Sequence, residues 1–211
     1  MVFWKEWREN RFGFLAALFF IMGLYYAVPT KRTLTDEYWL GIFLVFFGMA
    51  AAIALGSSAV AAEVGTETIQ FLVSKPVGRT RLLMAKYLIR GAEATLIYTA
   101  PIAYLCIVGW QTRIPWAWSP PYLALQYILV SLAVILFAYS ATFLFSVALR
   151  KQALCALAGI GLTALYFALR GMSVLRKVYR LEEVGMEISI LVLLSATALA
   201  GSLLMFRQRE F

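Results

Sequence analysis

Four polar side chains in the middle of the chain have the spacing of a helical docking edge. They follow one another at intervals of four, three and four residues and comprise Glu63, Glu67, Gln70 and Ser74. Side chains at such intervals share one side of a helix, and the apolar residues between them share the other. Carboxylates and amides on an exposed edge suit hydrogen bonds and ion pairs with a soluble partner. An ordinary solvated loop would also contain such residues, and the spacing leaves both interpretations open.

The chain lacks the groups that most catalytic sites require. It contains no histidine, which excludes Ser-His catalysis, a histidine general base and histidine-ligated metals. Its eleven acidic residues form no cluster suited to a metal ion. A Gly-x4-Gly-Lys-Ser/Thr motif, which would cradle the phosphates of a nucleotide, is also missing. We therefore expect no catalytic residue, no metal and no cofactor in this chain.

The composition predicts an integral membrane protein. Of the 211 residues, 63% are hydrophobic and 14% are charged, and the mean hydropathy is +0.81. Soluble domains have roughly 45–50% apolar and about 25% charged residues. The net charge of +8 is spread over many loops, which is typical of a membrane protein rather than of nucleic-acid binding. Cys106 and Cys155 lie in apolar stretches and are interpreted as packing residues.

Runs of about 20 apolar residues predict an all-α fold with six transmembrane helices in a single domain, 1–211. The predicted spans are 12–28, 38–62, 88–110, 122–148, 153–169 and 188–206. The first run follows a charged start and has no small-residue cleavage site, so we expect a span rather than a signal peptide. Segment 63–87 is the polar connection between the second and third spans.

The positions of lysine and arginine predict that both termini are cytoplasmic. With the N-terminus inside, twelve of the nineteen basic residues fall in inner segments and seven in outer segments. Cytoplasmic loops are enriched in basic residues, so this bias favours the stated orientation. It also places segment 63–87 on the cytoplasmic side. Four of the seven outer basic residues lie in the fifth connection. This connection is predicted to face outward, although its basic residues alone would favour the cytoplasmic side.

Two segments outside the spans are amphipathic. Phe3, Trp4 and Trp7 have helical spacing among charged neighbours, which predicts an interfacial helix over 1–11 in contact with the lipid bilayer. The alternative is a short cytoplasmic tail in which the tryptophan and arginine residues have no helical arrangement. Segment 170–186 also combines apolar and basic residues, and an interfacial helix, a re-entrant helix and a solvated loop all remain open for it.

Small residues recur at helix-packing intervals within the spans. Gly48, Ala52 and Gly56 form one such stripe in the second span. The last two spans contain Gly159, Thr163, Ser195, Ala198 and Ser202. Small side chains let helices approach closely in lipid, and packing within the chain or between two chains both fit this pattern. Charges are rare in the spans, but Arg90 and Glu93 are three residues apart on one face near the inner start of the third span, where they can pair or snorkel to the interface.

The polar connection resembles the signature region of type II ABC exporter permeases. The matching residues are Glu63, Gly65, Thr66, Phe71, Leu72, Val73, Ser74, Pro76, Val77, Arg79 and Lys86. Gly78 departs from the pattern, since the family usually has serine or a similar residue before the arginine. The six spans and the amphipathic N-terminal segment extend the resemblance over the whole chain.

The resemblance implies a permease subunit in the plasma (inner) membrane of a prokaryote. Segment 63–75 would be a cytoplasmic coupling helix between spans two and three, seated in a separate ABC ATPase. The expected interface with that ATPase comprises Glu63, Gly65, Thr66, Glu67, Gln70, Ser74, Pro76 and Arg79. Two ATPase subunits, which bind ATP and Mg²⁺, would pair with two identical or different permease subunits. A rival interpretation is a non-transporting membrane scaffold that binds another soluble protein through the same segment.

Overall fold

The structure of the protein is a computed structural model, and it describes residues 15, 19, 34–65, 78–112, 121–149, 151–170 and 181–208. Within these ranges all regular secondary structure is helical, without β-strands. This agrees with the predicted all-α fold. The interfacial helix predicted over 1–11 lies outside the described residues. Of the predicted first span, the structure describes Leu15 and Phe19, which are both helical and exposed.

Six helices make up the described part of the chain. They are α1 (Leu34–Ser58), α2 (Ala61–Gly65), α3 (Arg79–Thr112), α4 (Pro121–Ala148), α5 (Gln152–Arg170) and α6 (Leu181–Gln208). The predicted second span is therefore interrupted near its end, where a turn at residues 59–60 separates α1 from the short helix α2. The 34-residue helix α3 is about 51 Å long at 1.5 Å per residue, so it is longer than the roughly 30 Å hydrocarbon layer.

The helix boundaries follow from local chemistry. Gly78 precedes α3, and its carbonyl oxygen accepts a 3.1 Å hydrogen bond from the amide of Leu82, as expected for an N-cap residue. Helix α4 begins at Pro121, where the missing amide hydrogen of proline costs nothing. The turn between α4 and α5 is short, and the carbonyl of Lys151 accepts the first hydrogen bond of α5 from the amide of Cys155.

Helix α4 is the centre of the bundle. It packs most extensively against α6, and it also contacts α1, α5 and α3. Two-thirds of its membrane-length segment, 67%, is buried inside the protein, compared with 22% for α5 and 17% for α6. Large apolar side chains on α5 and α6, such as Leu157 and Leu193, are exposed. Since lipid is as apolar as these side chains, their exposure is the arrangement expected of a membrane protein.

Within the described ranges, four helical segments are long and apolar enough to cross a membrane. They are Val45–Glu63, Ile128–Ala148, Gln152–Leu169 and Val184–Gln208. They coincide with the second, fourth, fifth and sixth predicted spans, so the chain is a multi-pass membrane protein. The third predicted span lies within α3, which is not among the four segments, and the total of six spans stays a prediction.

Glycines allow the close contacts of α4. A Cβ atom added to Gly56 of α1 would lie 2.9 Å from the carbonyl oxygen of Tyr139, and one added to Gly48 would lie 2.7 Å from Cδ1 of Ile135. A Cβ on Gly159 of α5 would likewise overlap the side chain of Thr142 in α4. The small-residue stripe of α1 therefore packs within the chain, which was one of the two interpretations of its spacing.

Candidate functional site

The predicted docking edge begins at an ion pair that joins two helices. Nζ of Lys86 in α3 lies 2.6 Å from Oε1 of Glu63 in α2. The side chain of Lys86 is 2% exposed and that of Glu63 is 18% exposed. A buried ammonium requires a compensating charge, because its removal from water costs several kcal/mol. The pair therefore holds α2 against the first turns of α3 and brings the two ends of the polar connection together.

The position of Glu63 differs from the expected one. Its spacing with Glu67 predicted a carboxylate turned outward, but the structure directs this carboxylate to Lys86 inside the protein. The physical reason is that helical spacing gives relative directions on one helix and no information about a cation 23 residues later.

Most of the predicted site lies outside the described residues. Thr66, Glu67, Gln70, Ser74 and Pro76 belong to this part of the chain, as do the aromatic residues of the predicted interfacial helix, Phe3, Trp4 and Trp7. Of the remaining site residues, Gly65 is the last residue of α2 and Arg79 is the first residue of α3. The predicted coupling helix over 63–75 thus stays a prediction.

A second ion pair lies one turn further along α3. Nη1 of Arg90 is 3.4 Å from Oε2 of Glu93. Their side chains are 14% and 3% exposed, respectively. Of the two arrangements that the spacing left open, pairing and snorkelling, the structure shows pairing. Together with Lys86, these residues make the first part of α3 a buried ionic segment within an otherwise apolar bundle.

Three residues, Tyr87, Tyr139 and Ser140, tie this segment of α3 to α4, and we refer to them as the tyrosine clasp. The Tyr139 hydroxyl donates a 2.9 Å hydrogen bond to the backbone carbonyl oxygen of Tyr87. The Tyr87 hydroxyl lies 2.8 Å from the Ser140 hydroxyl, and either group can donate. The rings of Tyr87 and Tyr139 have centroids 5.2 Å apart, and Phe143 completes the aromatic cluster. Sequence reasoning missed the clasp because its bonded residues are more than 50 positions apart in the chain.

Another polar contact joins α5 to α6. The Tyr166 hydroxyl donates a hydrogen bond to Oε1 of Glu187. The ring of Tyr166 also packs against Phe137 of α4, with centroids 5.3 Å apart. Glu187 was expected just before the sixth span. Helix α6 instead begins at Leu181, so Glu187 lies inside the membrane-length segment Val184–Gln208.

Among the described residues, no group of three or more His, Cys, Asp or Glu side chains has metal-binding geometry. Cys155 is a buried cysteine whose sulfur lies 3.2 Å from the carbonyl oxygen of Lys151, as expected for a packing residue. The contacts described above position the helices of this part of the chain.

The fold and its contacts define a class of protein: a multi-pass helical membrane protein with buried ion pairs at one end of its bundle. Residues 2–195 match the family described as ABC-2 family transporter protein. Because this match covers most of the chain, the chain belongs to that family of ABC transporter membrane subunits, or permeases. No curated protein matches the chain. The family resemblance predicted from the polar connection is thus confirmed, and members of this family are membrane components of transport rather than catalysts.

Proposed function

We propose that the chain is the permease subunit of an ATP-driven exporter and that segment 63–75 docks a separate cytoplasmic ATPase. The family supports a role in ABC transport. The observation that carries the docking proposal is the Glu63–Lys86 ion pair. By joining the two ends of the polar connection, it fixes the base of segment 63–75 on the bundle, and a fixed base is what a coupling element requires to transmit force.

Charge and motif content support the remaining parts of the proposal. Twelve of the nineteen basic residues fall on the side assigned to the cytoplasm, together with both termini. The chain has no phosphate-cradling motif, so ATP and Mg²⁺ would bind to the partner ATPase. Two ATPases and two permease subunits, identical or different, would form the transporter in a prokaryotic plasma membrane. ATP-driven closure of the ATPases would press on the coupling segments and switch the pathway between the permeases.

Co-purification tests this proposal directly. The tagged chain, extracted from its native membrane in mild detergent, should retain a P-loop ATPase in comparable amount, identified by mass spectrometry. The complex should hydrolyse ATP, and the chain purified without its partner should not. If a protein without nucleotide-binding motifs is retained instead, the chain is a scaffold and the transport proposal is wrong.

A further inference from the structure

One turn of α3 has contacts in two directions. The side chain of Lys86 reaches α2 through Glu63, while the next residue, Tyr87, reaches α4 through the tyrosine clasp. Consecutive residues of a helix point about 100° apart, so neighbouring side chains naturally contact different elements. The polar connection and the central helix are therefore joined through two adjacent residues of a single rigid helix.

The tyrosine clasp fixes α3 to α4 at two points. Tyr139 of α4 bonds to the backbone of α3, and Tyr87 of α3 bonds to a side chain of α4. Tyr139 and Ser140 are both fully buried. The helices also approach closely here, because a Cβ atom added to Gly91 would lie 3.2 Å from Cε1 of Tyr139. Reciprocal bonds in a buried, closely packed contact resist sliding of one helix along the other.

Helix α4 is also the element from which a displacement would spread most widely. It contacts α1, α3, α5 and α6, whereas the short helix α2 contacts α1 and α5. A movement of the polar connection thus has three routes into the bundle. One passes from Glu63 and Lys86 through the clasp to α4, and the others pass directly from α2 to α1 and from α2 to α5. The first route uses an ion pair and two hydrogen bonds in buried surroundings.

We propose that the tyrosine clasp is the positioning element that transmits movement of the docking segment to α4 during the ATPase cycle. This inference rests on the proposed function. Tyr87, Tyr139 and Ser140 would contact neither ATP nor cargo. Their role is to make α3 and α4 move as one body relative to α5. Without the clasp, ATP binding by the partner ATPase would no longer cause the bundle to rearrange.

Spin labels at the end of the bundle opposite α2 provide the test. Leu125 of α4 and Leu169 of α5 are 56% and 78% exposed, so cysteines there accept labels in a background lacking Cys106 and Cys155. The distance between the labels is measured in the complex with the ATPase, with and without a non-hydrolysable ATP analogue. The variants are Tyr139→Phe combined with Ser140→Ala, and Ser140→Ala alone as the milder change.

Ser131→Ala is the matched control. Ser131 is a fully buried serine of α4 whose hydroxyl has no hydrogen-bond partner among the described residues. All variants are first required to retain the ATPase and to elute as a single species. We expect the analogue to change the 125–169 distance in the wild type and in the control. Since each lost hydrogen bond shifts an equilibrium constant roughly two- to tenfold, the double variant should lose more than half of this change and the single variant less.

Two results would overturn the proposal. One is a full distance change in the double variant, which would assign transmission to the contacts of α2 with α1 and α5. The other is a wild-type complex that binds the ATPase and the analogue without any change in this distance. If the wild-type chain fails to bind an ATPase at all, the proposed function itself is wrong, and this outcome is read from the co-purification step before any label is attached.

Discussion

The ammonium of Lys86 lies 2.6 Å from the carboxylate of Glu63, although 23 residues separate them in the chain. One residue ends the membrane-length segment that begins at Val45, and the other lies near the start of α3. Their contact brings the two ends of the polar connection together on the bundle.

Breaking this pair should destabilise the protein. We expect Glu63→Ala to lower the free energy of unfolding by an amount near the lower end of the about 3–5 kcal/mol typical of broken buried pairs, since Glu63 retains some exposure. Thermal unfolding of the purified chain in detergent measures the effect. The charge swap Glu63→Lys with Lys86→Glu should recover part of the loss. Equal unfolding temperatures for Glu63→Ala and the wild type would contradict the importance of the pair.

Two glycines of α5 should respond differently to the same substitution. Gly159→Ala places a methyl group against Thr142 and should cost about 1–3 kcal/mol as an overpacking change. Gly161→Ala is the control, because no atom lies within 4 Å of its added Cβ. Alanine there should be neutral or stabilise the helix by up to about 1 kcal/mol. Equal unfolding temperatures for the two variants would contradict the close packing of α5 against α4 at Gly159.

The hydrogen bond between Tyr166 and Glu187 should give a measurable coupling energy in a double-mutant cycle. A hydrogen bond to a carboxylate contributes roughly 1.5–3 kcal/mol, so Tyr166→Phe should destabilise the packing of α5 against α6. Glu187→Gln weakens the same bond by removing the charge of the acceptor. In a double-mutant cycle the two effects should therefore be less than additive. Strict additivity would show that the two side chains do not interact in the folded protein.

The predicted orientation of the chain in the membrane can be tested by labelling single cysteines from outside the cell. Gln70→Cys and Met172→Cys, each in a background lacking Cys106 and Cys155, place single thiols in the second and fifth connections. An impermeant maleimide applied to intact cells should label position 172 and leave position 70 unlabelled until the membrane is permeabilised. Strong labelling of position 70 in intact cells would reverse the assignment that the positive-residue bias supports.

Local patterns in the sequence predicted the features that depend on local physics. Apolar runs located α4 and α5 to within a residue at each end, because a span requires a fixed length of apolar helix. The spacing of Arg90 and Glu93 placed them on one face of the helix, where they form an ion pair. Small residues such as Gly56 predicted close helix packing, and the structure shows that its partner is α4.

Contacts between distant residues could not be predicted in the same way. The bonds of Lys86 to Glu63 and of Tyr139 to Tyr87 depend on how helices are rotated and shifted against one another. Periodicity within one helix contains no information about this register. The sequence therefore located the polar connection but placed the carboxylate of Glu63 on the wrong side, towards solvent instead of Lys86. The start of α6 at Leu181 was missed because charged residues precede its apolar part.

The central claim is that segment 63–75 binds an ATPase, and Glu67→Lys tests it most directly. Glu67 is preferable to Glu63, since Glu63→Lys would also break the ion pair with Lys86. A reversed charge in a close, desolvated interface costs on the order of several kcal/mol, and about 1.4 kcal/mol weakens binding tenfold. Lys5→Glu, a charge reversal in the predicted interfacial helix, is the control.

The measurement is the amount of ATPase retained by each tagged variant after membrane extraction, relative to the amount of the chain. Membrane insertion of the variants should equal that of the wild type. We expect Glu67→Lys to retain at most about a tenth of the wild-type ATPase and Lys5→Glu to retain the wild-type amount. Wild-type retention by Glu67→Lys would contradict docking through this edge of the segment and favour a solvated loop between the two helices.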